Sequence, residues 1–135
     1  MNRQGDDTGK TMRITYTRFY ADAAGESHFE DVRLSLTAAD FAPPAPPLDV
    51  SGFTPAKQIG FVRMPVGWFG DWHPAPKRQF MFCLAGAVAV QVSDGETRVF
   101  RPGDVVLLED TTGKGHTTRV VSEVDLLMAV AQLAD

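Results

Sequence analysis

No ten-residue window of this chain carries an apolar stripe at i, i+3, i+4 and i+7 between helix caps, and nothing constrains the fold more. The sequence offers instead eight to ten short runs of β-branched, aromatic and aliphatic residues separated by Gly, Pro and Asp. Residues 13–20 (Arg-Ile-Thr-Tyr-Thr-Arg-Phe-Tyr) open the series, and residues 28–36 alternate, with Val32, Leu34 and Leu36 on one face. Further strands are expected over 56–64, 79–85, 87–93, 97–100, 105–108, 116–121 and 124–133. The last of these can also be read as a helix from its Ala and Leu content. Asp94-Gly95 between Val-rich flanks marks a two-residue hairpin, because both turn positions favour positive φ. Many short strands joined by turns imply an all-β fold, a single antiparallel β-barrel or jelly roll with extra strands at its N-terminal side.

Residues 1–11 are nearly devoid of apolar side chains and read as a flexible tail, leaving 12–135 as one domain. Pro43, Pro44, Pro46 and Pro47 exclude a helix or a central strand there and imply a stiff surface arm that carries the first two strands across the body. Thirteen Lys and Arg against seventeen Asp and Glu give a net charge of -4, which argues against nucleic acid as the partner. The longest apolar run, Phe80 to Val90, falls short of the roughly 20 residues that span a bilayer. The polar first ten residues lack the apolar core of a signal peptide, and Cys83 stands alone, so a reducing, cytoplasmic setting is expected. Residues 12–20 carry Ile14, Tyr16, Phe19 and Tyr20, more apolar surface than a lone edge strand leaves in water, and a homodimer is expected from them.

Two stretches carry the chemistry. Gly67, His73, Gln79 and Gly86 fall at spacings of six, six and seven, and Pro102-Gly103-Asp104 precedes a short strand, a loop and His116. In these residues the chain resembles the cupin superfamily, over about residues 56–133. The first cupin motif reads Gly, five residues, His-x-His, three or four residues, Glu, six residues, Gly; the second opens with Pro-Gly-Asp and ends in a His that begins a strand. The resemblance implies a divalent ion (Fe, Mn, Ni or Zn) held in the barrel by His73, Gln79 and His116. Ala75 stands at the second His position and Gln79 at the Glu position. An alanine cannot ligate and an amide brings no charge, so affinity falls unless Asp71, Glu109 or Asp110 reaches the ion. On an unbroken strand, 73, 75, 77, 79, 81 and 83 share one face, which puts Met81 and Cys83 beside the histidines as pocket lining. Trp72 is a further pocket candidate, and Trp68 and Phe69 suit a lid or an interface. Three functions remain open: a metal-dependent enzyme of oxygenase or isomerase type on a small organic substrate, a metal-free barrel using a histidine as base or ligand contact, and a non-catalytic barrel.

Overall fold

The computed structural model describes residues 14–135, so the tail expected over 1–11 lies outside the described residues. Twelve strands are present: β1 Ile14–Ala21, β2 Ser27–Leu34, β3 Thr37–Ala39, β4 Leu48–Val50, β5 Ala56–Met64, β6 Phe69–His73, β7 Gln79–Ala85, β8 Val88–Val92, β9 Thr97–Phe100, β10 Val105–Leu108, β11 His116–Val120 and β12 Leu126–Leu133. No helix occurs among the described residues, and the closing segment is a strand. Alternation decided it: Leu126, Met128 and Val130 are buried while Leu127 and Ala129 between them are not.

Six strands form one sheet in the order β2-β1-β10-β7-β12-β5, and four form a second in the order β6-β11-β8-β9. The larger sheet is mixed rather than purely antiparallel, because β1 runs parallel to β10. The two segments are some ninety residues apart, so no hairpin fixes their direction. Met81, Val106, Met128 and Val130 of the larger sheet face Val88, Val90, Val92 and Val120 of the smaller one. Phe19 anchors this core at 2% exposure, edge-on to Phe29 with ring centroids 5.1 Å apart. Burying such a side chain contributes about 1.5–3 kcal/mol.

The sheets are joined along one flank, where Ser27 N–H donates to Ser93 Oγ at 2.6 Å and Ser93 N–H donates to Ser27 Oγ at 2.7 Å. The opposite flank has edge strands β5 and β6, which follow one another in sequence but share no ladder. The expected barrel or jelly roll thus has its two sheets unpaired between β5 and β6.

Residues 37–50 make a small separate hairpin, β3 against β4, with the proline segment as its turn. Strand β2 lies at one edge of the six-stranded sheet and β5 at the other, so the connection between them spans the sheet's width, with Phe53 and Thr54 lining a groove on its outer face beside Tyr16 and Phe82. The N-terminal strand is not an exposed edge, since β1 is paired with β2 on one side and β10 on the other. Strand β5 exposes both its edge and its apolar residues, with Ile59 at 74% and Phe61 at 69% exposure.

His28 ties the β1–β2 turn to the β8–β9 hairpin. Its Nε2 lies 2.8 Å from Asp22 Oδ2 and its Nδ1 2.8 Å from Asp94 Oδ2. The hydrogen bonds His28 donates to Asp22 and then to Asp94 raise the imidazole above its ordinary value, while the imidazole above all lowers the Asp22 carboxyl and the Glu96 backbone N–H above all lowers that of Asp94. A raised histidine contributes stability below its unfolded value near 6.5 and loses it as pH rises through the folded value. The lowered carboxyls contribute above about pH 4 and lose their share as pH falls. The difference in urea unfolding free energy between wild type and His28→Gln is thus expected to peak between about pH 4 and 6.5 and shrink above it. A difference that stays constant from pH 5 to 9 would exclude this role.

Candidate functional site

His73 ends β6 and His116 begins β11, and the two are direct partners across the ladder. Their ring centroids lie 4.7 Å apart with planes inclined at 57°. What brings them together is a close backbone crossing: Gly115 packs against the His73–Pro74 peptide, where a Cβ would stand 2.0 Å from the His73 carbonyl oxygen. Gly115 also has φ +72°, so only glycine suits the position.

Both rings are oriented through Nδ1. His73 Nδ1–H donates to the Asp71 carbonyl at 2.6 Å, and His116 Nδ1–H donates to Asp110 Oδ2 at 2.6 Å. A backbone carbonyl and a carboxylate accept only, so in each neutral ring the lone pair sits on Nε2. Asp110 is fully buried, and its second oxygen, Oδ1, has no hydrogen-bond partner. An acceptor held this way costs stability, which the fold tolerates for the sake of the imidazole it fixes.

The histidines stand at the edge of an apolar cavity of about 200 Å³ between the sheets. Phe19, Met81, Val90 and Met128 line its body, with His73, His116, Gln79 and Thr118 among its polar members. Trp68 lines the open flank, and its ring occupies the space beside Gly70, where a Cβ would meet Trp68 Cη2 at 2.6 Å. The strand expected over 79–85 is β7, and the condition of an unbroken strand from 73 is not met: β6 ends at His73, and Pro74 to Arg78 turn the chain into the other sheet. His73 and Gln79 thus reach the same cavity from opposite sheets.

Of the other expected residues, Met81 lines the cavity, whereas Cys83 and Trp72 do not. Cys83 faces inward but lies two residues, about 7 Å, beyond Met81 along β7, with Sγ near the Gly86 carbonyl at 3.7 Å. Burial pushes its thiol pKa up, away from a reactive thiolate. Trp72 neighbours His73 on β6 and so points the other way, 45% exposed. Of the carboxylates that might have reached an ion, Glu109 is held between Arg18 and Arg78. Burial alone would raise its carboxyl, and the two guanidiniums outweigh that and lower it. The Asp71 side chain accepts from Trp72 N–H. Asp110 supports His116 from behind.

A divalent ion thus fits at two of the three positions. Each imidazole offers Nε2 while an oxygen acceptor holds Nδ1, the usual support of a metal-binding histidine. Gln79 fits poorly, because its Oε1 already accepts from Gln132 Nε2 at 2.9 Å. Among the described residues no group of three or more His, Cys, Asp or Glu side chains is arranged to hold an ion.

No protein-family model and no curated protein matches the chain. Solved structures do. A cupin 2 conserved barrel domain protein from Salinispora arenicola is 18% identical over 75% of this chain and 76% of its own, with a TM-score of 0.48. The cupin domain of Schizosaccharomyces pombe Cnp3 is 15% identical over 90% of this chain and 88% of its own, also at 0.48. Protein NMB1881 from Neisseria meningitidis is 21% identical over 56% of this chain and 72% of its own, at 0.43. At these identities and TM-scores the likeness carries neither a family nor an activity across to this chain.

Proposed function

We propose that this cupin-type barrel binds a small organic molecule between its sheets, with the His73–His116 pair as the polar anchor. One observation carries the reading: a largely apolar cavity, open on one flank, with His116 on its wall and that imidazole held from behind by a buried carboxylate. Apolar sites with a few convergent polar groups are where small ligands bind. A cavity of about 150 Å³ accommodates benzene, so the roughly 200 Å³ available here suits a molecule of one ring. His116, with Asp110 behind it, can accept a proton or a hydrogen bond at Nε2. Toluene titrated into the protein is expected to shift the methyl NMR signals of Met81, Val90 and Met128. A Val90→Trp variant that fills the cavity is expected to lose those shifts. Unchanged methyl signals at saturating toluene would end this reading.

A second reading rests on both Nδ1 atoms being held by oxygen acceptors, which leaves two Nε2 atoms for one divalent ion, with water or the organic ligand completing its shell. Such an ion would act as a Lewis acid on the bound molecule. Protein purified without added metal or a His-rich tag would then carry near-stoichiometric Fe, Mn, Ni or Zn, absent from the His73→Ala, His116→Ala double variant.

We further infer that two copies associate through β5. Its open edge and the exposed Ile59 and Phe61 support that surface in place of β1. Light scattering at high micromolar concentration is expected to give about twice the 14.7 kDa chain mass, and Ile59→Lys, Phe61→Lys to give a monomer. A wild-type mass equal to that of one chain would count against association.

A further inference from the structure

Three glutamines stand side by side across the larger sheet: Gln132 of β12 is in register with Gln58 of β5 on one side and Gln79 of β7 on the other. Their amides form a directional chain. Gln58 Nε2 donates to Gln132 Oε1, and Gln132 Nε2 donates to Gln79 Oε1 at 2.9 Å. Gln79 Nε2 is left at the inner end, 3.8 Å from the Met81 sulfur. Gln79 is only 6% exposed, and it lines both the main cavity and an adjoining one of about 280 Å³ whose lining includes Gln58 and Gln132.

The direction of this chain has a chemical cause. A thioether sulfur accepts weakly and donates nothing. Reversing Gln79 would set its oxygen against that sulfur and its NH₂ against the NH₂ of Gln132, unless Gln132 and Gln58 reversed as well. A buried amide N–H with a sulfur as its nearest acceptor is short of a hydrogen bond.

We propose that Gln79 is the recognition donor of the cavity, taking a carbonyl or carboxylate oxygen of the bound molecule, and not a metal ligand. The ligand class is then a one-ring molecule bearing an oxygen acceptor, its ring among Phe19, Val90 and Met128. This inference rests on the cavity reading above, and the two fail differently.

The test compares acetophenone and benzoate with ethylbenzene, which is of similar size and lacks the acceptor. A net hydrogen bond of about 0.5–1.5 kcal/mol corresponds to a preference of roughly 2- to 12-fold for acetophenone in wild type. Gln79→Met removes the donor at similar volume. It is expected to bring acetophenone to parity with ethylbenzene, whose own binding reports that the variant is folded. Gln132→Leu frees the Gln79 amide to rotate and is expected to reduce the ratio of acetophenone to ethylbenzene affinity, a second route if Gln79→Met does not fold. Gln79→Glu is expected to weaken benzoate through like charge. Benzoate binding that exceeds acetophenone binding and falls with Gln79→Met identifies a carboxylate as the natural group; the reverse order identifies a neutral carbonyl. An acetophenone preference that survives Gln79→Met overturns the proposal. If neither acetophenone nor ethylbenzene enters the wild-type cavity, the cavity reading falls and this inference with it.

Discussion

Gly115→Ala is expected to destabilise the protein by at least about 3 kcal/mol, well beyond the usual cost of a single substitution. Two effects combine. A left-handed residue with a Cβ costs roughly 1–2 kcal/mol by itself, and Gly115 has φ +72°. The added carbon would also lie 2.0 Å from the His73 carbonyl oxygen, 2.2 Å from its carbon and 2.5 Å from the Pro74 nitrogen. These are backbone atoms, with no flexible end to swing aside. Gly95→Ala isolates the conformational part, since φ there is +101° and nothing lies within 4 Å of the new Cβ. Urea denaturation is expected to show the Gly115 variant at least about 1 kcal/mol less stable than the Gly95 variant. The clash lies at the crossing that pairs His73 with His116, so toluene binding is expected to be lost with it. Equal losses for the two glycines would refute the close crossing.

Asp110→Leu is expected to be the second largest effect. It leaves the His116 Nδ1–H buried without an acceptor, at about 1–3 kcal/mol. At this chain length that lowers Tm by roughly 4–10 °C. Asp110→Asn keeps an acceptor oxygen for the imidazole and is expected to lose less. The two variants also separate packing from positioning. In wild type the Nδ1 proton of His116, hydrogen-bonded at 2.6 Å and shielded from water, is expected as a slowly exchanging, downfield NMR signal. That signal should persist in Asp110→Asn and vanish in Asp110→Leu. A signal that survives in Asp110→Leu would mean that Asp110 does not orient the ring.

Much of the site was legible in the residues, and the limits of that reading are specific. Strands β5, β7, β9 and β10 begin and end where Pro65, Gly86, Asp94-Gly95 and Pro102-Gly103 say they must. The rings of the two motif histidines lie 4.7 Å apart, as the resemblance to the cupin motifs implied. β6 was hidden, because Gly70 between Phe69 and Asp71 looks like a turn. The reason for that glycine is the Trp68 ring lying where a Cβ would be. Trp72 was drawn toward the pocket by its neighbour His73, and alternation within the unforeseen strand sends it outward.

The sequence by itself determined which side chains of β7, β8, β11 and β12 face the core, since alternation is a local property with a period of two. It also determined where the chain turns, since positive φ and missing N–H groups are local too. Hence Met81 and Cys83 face inward while Phe82 and Leu84 do not. Which strands become neighbours depends on contacts between segments far apart in the chain, and local pattern does not encode those. Only the tertiary structure put His73 and Gln79 in different sheets, set Gln132 beside Gln79 across 53 residues, and closed Asp110 behind His116 with one oxygen unpaired. Those partners decide what the residues do: which nitrogen of each histidine is free, and whether Gln79 offers the cavity an oxygen or an N–H.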